Sequence, residues 1–287
     1  MDAARVKSIA KWVTQAGLAG MAEPELLREF CIRLVDAGLP VARVNMNVDT
    51  LHPVYEGRVF RWRHNHAEID PVSVYGRTSV GGREEEIWHR SPYYHLYRTG
   101  TDVLRRRIVP NSSAEFPILD DLRPEGYTDY VALIHRFATE GAIGEMDCIY
   151  SSWATDISTG FTDEHLSALV DLVPSLALAV KCASLAQVAE TLVETYLGRD
   201  AGRRVLRGRI ARGVAERIQA VLWYSDLKGF THTSETTPPE QIIPLLNDYA
   251  GAVISSVHDA SWKAWIMSET VVTLISISPT DSCMLTS

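Results

Sequence analysis

The stretch Val221-Leu222-Trp223-Tyr224-Ser225-Asp226-Leu227-Lys228-Gly229-Phe230-Thr231 joins an apolar run to a charged turn. Its first four residues, Val221–Tyr224, are all apolar and predict a strand that is buried on both faces. Asp226 follows where the run ends, so its carboxylate must be paired with water, a partner or a cation. Gly229 can adopt backbone angles that are closed to other residues, which predicts a tight turn ahead of a helix.

Such a turn predicts an anion site. Successive N–H groups in a turn that precedes a helix form a pocket for a phosphate-sized group. A carboxylate beside that pocket is the minimum needed to hold Mg²⁺ together with a nucleoside triphosphate. A solvated aspartate at the end of a strand, followed by a glycine turn, explains the same spacing. The spacing alone therefore leaves both interpretations open.

The stretch resembles the first metal-binding segment of class III adenylate/guanylate cyclases, in which an apolar strand precedes Asp, an apolar residue, Lys or Arg, and Gly-Phe-Thr. The likeness covers about residues 190–260, and its other matching positions are Thr195-Tyr196-Leu197-Gly198, Ala201-Gly202, Val205-Leu206, Gly208, Ile210, Arg212-Gly213, Ser234-Glu235, Leu245-Leu246-Asn247 and Tyr249. The resemblance implies an enzyme that makes a cyclic nucleotide from ATP (or GTP) in a site shared across a homodimer.

It also implies roles for individual residues. The side chain of Asp226 and the carbonyl of Leu227 would bind Mg²⁺ or Mn²⁺. The backbone of the next four residues would contact the triphosphate, and these are Lys228, Gly229, Phe230 and Thr231. In the predicted fold, residues 216–260 form the N-terminal part of a ferredoxin-like cyclase domain.

The chain departs from the family after Ala260. The family continues with a hairpin whose turn reads Gly-Asp-Gly and supplies the second metal-binding Asp, whereas this sequence has no glycine after Gly251. Glu269 is a candidate substitute, but it lacks the flanking glycines that present a carboxylate in a tight turn. Because one carboxylate does not hold two Mg²⁺ ions, we expect a truncated cyclase that is inactive alone, followed by an aberrant tail over residues 261–287.

The genetic code offers a reason for this tail. Trp and Met each have a single codon, so the neighbouring reading frame can be partly deduced across Trp262–Val271. That frame must contain Glu from Trp262-Lys263 and Asp from Trp265-Ile266, and it permits Val-Gly-Asp-Gly over Met267–Val271. We therefore expect an out-of-frame tail on a disrupted cyclase gene, which sequencing of the DNA past codon 260 tests.

Residues 1–180 predict an α/β (α+β) domain with a mostly antiparallel sheet. Apolar spacing predicts helices at 6–16, ended by Gly17, and at 23–37, closed by Gly38, and a later helix capped by Thr162. Alternation and β-branched residues predict strands at 39–49, 54–63, 72–80, 127–137 and 146–155. This order resembles a GAF-type sensory domain, with a PAS-like domain as the alternative. Either implies an unknown small-molecule effector bound between the sheet and its loops.

Aromatic residues and histidines are the candidate lining of that sensor pocket: Trp62, His64, His66, Trp88, Tyr93, Tyr94 and His95. Tyrosine and tryptophan at such spacing fit a hydrophobic core equally well. His64 and His66 lie on one face of a strand and are a candidate metal pair, although such pairs are more often solvated.

A connecting helix and linker are predicted over residues 181–215. Apolar residues recur before and within it, at Leu166, Leu169, Val173, Leu176, Val180, Leu185, Val188, Leu192 and Tyr196. This stripe fits a parallel coiled coil that dimerises and transmits the state of the sensor, or a helix that packs on its own domain. Pro174 predicts a kink or a break. The seven arginines of Arg199–Arg217 form a solvated face or attract a triphosphate.

Composition sets further limits. The chain of 287 residues suits about two domains, and its net charge of −8 argues against nucleic-acid binding. The four cysteines are scattered and indicate reduced core thiols of a cytoplasmic protein rather than a zinc site or disulfides. Without a signal peptide, and with Asp171, Pro174 and Lys181 inside the longest apolar stretch, no membrane span is expected. Two hypotheses remain, a sensor joined to a truncated cyclase and a non-catalytic small-molecule-binding regulatory dimer.

Overall fold

The computed structural model describes residues 2–64, 72–76, 82–110, 114–137, 146–209, 220–224, 227–259, 263–267 and 272–276. The chain forms two compact units, residues 1–192 and 193–287. The helices that begin in the first unit are α1 (Ala3–Leu18), α2 (Glu23–Asp36), α3 (Arg83–His89), α4 (Pro92–Thr99), α5 (Pro117–Leu122) and α6 (Asp163–Leu197). Its strands are β1 (Arg43–Asp49), β2 (Gly57–Arg63), β3 (Ser73–Tyr75), β4 (Val103–Arg107), β5 (Asp129–Arg136) and β6 (Cys148–Thr155).

The six strands form one antiparallel sheet in the order β3-β2-β1-β6-β5-β4. β1 lies in the middle, and its Met46 faces Phe60 of β2 on one side and Ser151 of β6 on the other. Each predicted strand of this region contains an observed one, shortened at its ends. The predicted α+β fold class with a mostly antiparallel sheet is therefore confirmed.

One face of this sheet, which we call the helix face, carries the larger hydrophobic core. Because strand residues alternate between faces, every second residue of the central strands points to it. The strand side chains in this core are Val44, Met46, Val48, Phe60, Trp62, Val131, Leu133, Ile149 and Trp153, and they pack with buried residues of α1, α2 and α6. Leu172 of α6, fully buried in the same core, is typical of them.

The opposite face, which we call the polar face, is apolar only over β4, β5 and β6. There a second core packs against α4 and α5 and includes Leu96, Leu104, Phe116, Leu119, Leu122, Tyr130, Ala132, Ile134, Cys148, Tyr150 and Ala154. Over β1 and β2 the same face carries Arg43, Asn45, Arg61 and Arg63, which lie between residues of the helix face in sequence. The two halves of this face therefore differ in chemistry.

Two glycines show how local and tertiary causes differ. Gly38 has φ +90°, and this left-handed conformation ends α2 as predicted. Gly17 does not end α1, which continues to Leu18. A Cβ at Gly17 would lie 2.9 Å from the Cβ of Ala179, so this glycine permits α1 to pack closely on α6.

Helix α6 joins the predicted helix capped by Thr162 to the first part of the predicted connecting helix. It runs as one helix through Pro174, so of the predicted kink or break the structure excludes the break. Its residues Leu169, Val173, Leu176, Val180 and Val188 are buried in the first unit, so the alternative of packing on its own domain describes this part of the stripe. By length and apolar composition α6 meets the criteria for a membrane span, which the helix of a protein core also meets. The hydroxyl of Thr162 accepts a hydrogen bond from the N–H of His165 (3.2 Å), as its predicted capping role requires.

A buried ion pair ties α2 and α6 to the sheet. Arg58 of β2 donates to Glu23 of α2 (2.9 Å), to the hydroxyl of Ser184 (3.0 Å) and to Gln187 of α6 (2.7 Å). The side chains of Arg58 and Glu23 are only 7% and 9% exposed. The two opposite charges therefore compensate each other although both are shielded from water.

A second buried carboxylate, Asp129, fixes the start of α6 against β5. It is fully buried and accepts hydrogen bonds from Arg105 (2.7 Å), from the N–H of Phe161 (3.0 Å) and from Arg107 (3.4 Å). Removing this carboxylate would leave several buried donors without an acceptor.

The second unit contains α7 (Arg199–Leu206), β7 (Ala220–Tyr224), α8 (Phe230–Thr236), α9 (Pro239–Asp259), β8 (Lys263–Met267) and β9 (Val272–Ser276). β9 lies between the other two strands and is antiparallel to both, so the sheet order is β7-β9-β8. A strand, two helices and an antiparallel strand pair in this order form part of a ferredoxin-like sheet. The partial ferredoxin-like fold is thus present.

Two strands of this sheet come from residues 261–287, for which the sequence predicts an aberrant tail. They are β8 and β9, and Met267 lies opposite Val272. The residues between the two strands lie outside the described part of the chain, and the aberrant tail stays a prediction. The origin of the tail in a shifted reading frame stays a prediction. Glu269 lies outside the described residues.

Candidate small-molecule site

The structure divides the predicted sensor residues between the two sheet faces. Trp88, Tyr93 and Tyr94 lie together beside the second core on the polar face. Trp62 is 8% exposed and belongs to the core of the helix face, apart from these three residues, and its role in a sensor pocket stays a prediction. His64 follows β2 and is exposed, with its ring 6.0 Å from that of Trp62.

The remaining histidines of the predicted set do not join the cluster. His66 lies outside the described residues, so the proposed pair of His64 and His66 stays a prediction. His95 lies on α4, where its ring makes an edge-on contact with Phe116 at 5.7 Å. His95 thus packs towards α5.

An aromatic cluster forms around Tyr150 of β6. The ring of Tyr150 lies 5.1 Å from that of Tyr93 and 5.4 Å from that of Trp88, and Trp88 in turn lies 5.8 Å from Tyr94. Tyr150 is not among the predicted sensor residues, because the sequence of its segment indicates only a strand. The signal was available, since Tyr150 alternates with the buried Ile149 and so faces the other side of the sheet.

Polar groups lie directly beside these rings. Burial raises the pKa of Tyr93 to about 12, and the hydroxyls of Ser152 and Tyr130 hydrogen-bond with its own. Burial also raises the pKa of Tyr130, while the charge of Arg43 acts in the opposite direction on both tyrosines. The aromatic cluster is therefore continuous with the polar residues of the next strand.

Those polar residues are placed by the strand register. Asn45 of β1 lies opposite Ser152 of β6 on one side and opposite Arg61 of β2 on the other. Arg43 lies opposite Arg63 in the next row of the same face. The register thus forms a band that runs from the tyrosines through an amide to three guanidinium groups. The sequence analysis did not single out any of these arginines.

The hydrogen bonding of this band is incomplete among the described residues. Arg61 donates to the hydroxyl of Ser73 (2.7 Å), and Arg43, only 13% exposed, lies 3.9 Å from Glu125. The Nε atom of Arg63 and the Oδ1 atom of Asn45 are both buried and lack a partner in this part of the chain. Buried polar atoms of folded proteins are rarely left in this state without a bound molecule or water.

Possible metal donors lie at the other end of the same face. Single oxygen atoms of Asp49 and Asp147 and the sulfur of Cys148 lie within 4.8 Å of one another. The hydroxyl of Tyr75 donates to Asp49. Burial raises the pKa of the Cys148 thiol well above its usual value, so the thiol of the free protein is protonated at neutral pH and metal binding there would release a proton. Of the other described cysteines, Cys31 is buried but Cys182 is exposed, which corrects the prediction of a core thiol there.

A separate cavity of about 440 Å³ lies between α3 and α5 and is lined by His89, Arg90, Ala114, Glu115, Phe116, Pro117, Asp120 and Asp121. None of the predicted sensor residues lines it. Two of its carboxylates are already paired, Glu115 with Arg106 (2.6 Å) and Asp120 with Arg123 (2.7 Å). These two carboxylates therefore serve contacts within the protein.

The predicted phosphate turn is only partly described. Gly229 has φ +80°, the left-handed conformation that the sequence predicts, and α8 begins at Phe230. The N–H of Phe230 donates to the carbonyl of Leu227 (3.0 Å), so this group is used within the turn. Asp226 lies outside the described residues, and the metal and phosphate roles of residues 226–231 stay predictions.

Comparison with known proteins gives similarity in fold alone. No protein-family model and no curated protein matches this chain. Among solved structures, it is similar to the phycoerythrobilin-bound GAF domain from a cyanobacterial phytochrome (16% identity, 63% of this chain and 97% of that chain, TM-score 0.40).

Two further GAF domains are similar to the same extent. One is the phycocyanobilin-bound GAF domain from a cyanobacterial phytochrome (15% identity, 63% and 96% coverage, TM-score 0.41). The other belongs to a two-component sensor histidine kinase from Bacillus halodurans (11% identity, 55% and 95% coverage, TM-score 0.36). All three are of the fold type that the sequence predicts for residues 1–180.

Proposed function

We propose that the first unit is a regulatory domain that binds a small molecule on the polar face of its sheet. The observation that carries this proposal is the pair of buried, unpartnered atoms, Asn45 Oδ1 and Arg63 Nε. Leaving such atoms unpaired costs about 1–3 kcal/mol each, a cost that a bound molecule with matching groups would remove. A structural role for these side chains would instead have paired them.

The surroundings of these atoms support the proposal. Ligand pockets combine apolar and aromatic walls with a few polar groups that fix orientation. Here Tyr93 and Trp88 supply the aromatic wall around Tyr150, and Asn45 supplies a polar group two strand positions from that ring. The buried charges of the helix face, by contrast, are paired within the described part of the protein, as Glu23 is with Arg58.

Native mass spectrometry of the full chain tests this proposal. The purified protein is incubated with a fractionated small-molecule extract, desalted, and compared with N45L and with N247L, which changes an exposed asparagine of the second unit. We expect a defined mass adduct on the wild type and on N247L and at least a tenfold smaller adduct on N45L. An adduct that is equal on all three proteins, or absent from all of them, contradicts the proposal.

A second candidate function belongs to the second unit. It is the opening part of a class III cyclase catalytic domain, which holds ATP (or GTP) with Mg²⁺ or Mn²⁺ but does not turn over alone. Two observations favour it, the sequence resemblance over about residues 190–260 and the order β7-β9-β8. Tyr224 lies two residues before Asp226 and opposite Val272 of β9. In the cyclase family, the turn between the two strands that correspond to β8 and β9 carries the second metal ligand.

Nucleotide binding tests the second candidate. A fluorescent ATP analogue is titrated into the full chain with Mn²⁺, with D226A as the variant and D248A as the control on α9. We expect Mn²⁺-dependent binding that D226A weakens at least tenfold and D248A leaves unchanged, with no cyclic nucleotide formed. Metal-dependent turnover that D226A abolishes would contradict the expected inactivity, and metal-independent binding would contradict the site.

We also propose that the protein forms a dimer and is located in the cytoplasm. The last turns of α6 expose apolar side chains, with Tyr196 82% and Leu197 48% exposed. Such residues suit a helix that pairs with its copy and links a sensor to an output. Light scattering of the wild type and of Y196E measures this, and we expect a dimer that the variant dissociates.

A further inference from the structure

We propose that the small molecule carries an oxyanion, a carboxylate or a phosphate, which the arginines of the polar face hold, and a planar body that rests on the aromatic cluster. This inference rests on the proposed regulatory function and specifies the chemistry of its ligand. The residues that carry it are Arg43, Asn45, Arg61 and Arg63.

Like charges lie close together on the polar face. Arg43 and Arg63 are direct cross-strand partners on one face, and Arg61 lies two residues from Arg63 on the same side of β2. Like charges directly opposite each other in an antiparallel pair destabilise the sheet. A bound anion between the guanidinium groups turns this repulsion into attraction.

Few carboxylates of the described chain lie near these arginines. The carboxylate nearest to Arg43 in the described chain, Glu125, is 3.9 Å away, and Arg61 is paired with a neutral hydroxyl. Arg106 of β4 gives the contrast, because it lies on the same face of the same sheet and is matched by Glu115 at 2.6 Å. The polar band therefore carries a local positive charge that the described protein groups do not neutralise.

The N–H donors of these arginines have a geometry that fits an oxyanion. A guanidinium presents parallel N–H groups that match the two oxygens of a carboxylate or phosphate, and the Nε–H of Arg63 is one such unused donor. Asn45, which lies opposite Arg61 and diagonally from Arg63 in the register, offers the unpartnered Oδ1 atom of its amide. A ligand with a hydroxyl next to its anion would satisfy both residues.

An aromatic surface adjoins the polar residues and would contact the rest of the ligand. Asn45 lies opposite Ser152, whose hydroxyl hydrogen-bonds with Tyr93, and the ring of Tyr93 lies against Tyr150. Moving from the arginines across two strands thus leads from charge to aromatic surface. A flat conjugated body fits this surface by stacking.

Thermal denaturation and calorimetry of the full chain test the inference with three probes. These are 4-hydroxybenzoate, phenyl phosphate and the neutral 4-hydroxybenzamide, which has the shape of the first probe without its charge. We expect one or both anions to raise the Tm and the amide not to do so. The stronger anion identifies carboxylate or phosphate as the preferred group.

Variants locate the site. We expect R43Q and R63Q to weaken binding of the anion at least tenfold and R63K to have an intermediate effect, because it keeps the charge without the fork. R106Q is the matched control and should bind as the wild type does. Since R63Q removes a like charge, its Tm without ligand should equal or exceed that of the wild type, which shows that the variant is folded.

Three outcomes would overturn the inference. They are binding of the amide as tight as that of the anions, anion binding that R43Q and R63Q leave unchanged, and the absence of any anion response. An adduct lost in N45L, as described above, together with any of these outcomes leaves the proposed function standing and removes only the anionic ligand. If neither the adduct that N45L reduces nor the response to the anions is observed, the proposed function fails as well.

Discussion

The two faces of the six-stranded sheet treat buried polar groups differently. On the helix face the buried charges are matched, since Glu23 meets Arg58 at 2.9 Å and Asp129 meets Arg105 at 2.7 Å. On the polar face Arg43 faces Arg63, and an atom of Asn45 and one of Arg63 lack partners in the described chain. One strand, β1, contributes side chains to both faces, because successive residues of a strand alternate between them.

The contrast teaches which residues serve folding and which are free for binding. A charge buried for stability needs a partner, because its desolvation is otherwise uncompensated. Groups that lack partners weaken the free protein, and their presence is explained when a ligand completes them. The following predictions test this division by comparing variants of the two faces.

The largest effect is expected on the helix face, for D129A. It leaves the buried N–H of Phe161 without its acceptor and removes the carboxylate that pairs with the partly exposed Arg105, so we expect a loss of about 3–5 kcal/mol in the free energy of unfolding. D163A is the control, since Asp163 is exposed and 3.7 Å from the same arginine, and should cost less than about 0.5 kcal/mol. Urea denaturation measures both, and equal losses would contradict the prediction.

The second prediction concerns apolar packing on the same face. Leu172 is fully buried between α6 and the sheet, so L172A should lower the free energy of unfolding by about 3 kcal/mol through lost burial and the cavity left behind. Leu178 lies on the same helix but is 62% exposed, so L178A should cost less than about 1 kcal/mol. A small loss for L172A would mean that the helix face is not the main core.

His135 is an exception on the helix face and predicts a pH effect. Its Nδ1 atom is buried without a described partner, and burial lowers the pKa of the imidazole. Below pH of about 6.5 the unfolded chain therefore binds a proton that the folded chain does not, so stability falls as the pH falls, by at most about 1.4 kcal/mol per pH unit. The loss ends once the pH is below the folded pKa.

The variant H135Q should remove this part of the acid sensitivity. Urea midpoints at pH 7.5 and 5.5 compare the wild type with the variant. We expect a smaller difference between the two pH values in H135Q. An unchanged difference would show that other groups carry the acid sensitivity.

The smallest effect is expected on the polar face, for N45L in the absence of ligand. The change removes a buried oxygen that has no described partner, so the free energy of unfolding should change by no more than about 0.5 kcal/mol or should rise. Urea denaturation gives the value. A loss of about 2 kcal/mol or more would show that Asn45 stabilises the fold and would remove the contrast between the two faces.

The sequence by itself determined the features that depend on neighbours in the chain. Alternation and helical spacing predicted α1, α2, the start of α6 and five of the six described strands of the first unit, but not β4, α3, α4 or α5. Gly38, Gly229 and Thr162 took the turn and capping roles assigned to them. These roles follow from backbone freedom and from side-chain atoms that reach groups two or three residues away. They require no knowledge of the rest of the fold.

Only the tertiary structure decided which residues share a face. Trp62 entered the core while Tyr150, Asn45 and Arg63 came together on the polar face, because strand register over more than 80 residues sets these neighbours. The same holds for Pro174, whose helix remains whole because its flanking residues are buried on the sheet. Pairing between distant strands and burial of long helices are collective properties, so local spacing does not contain them.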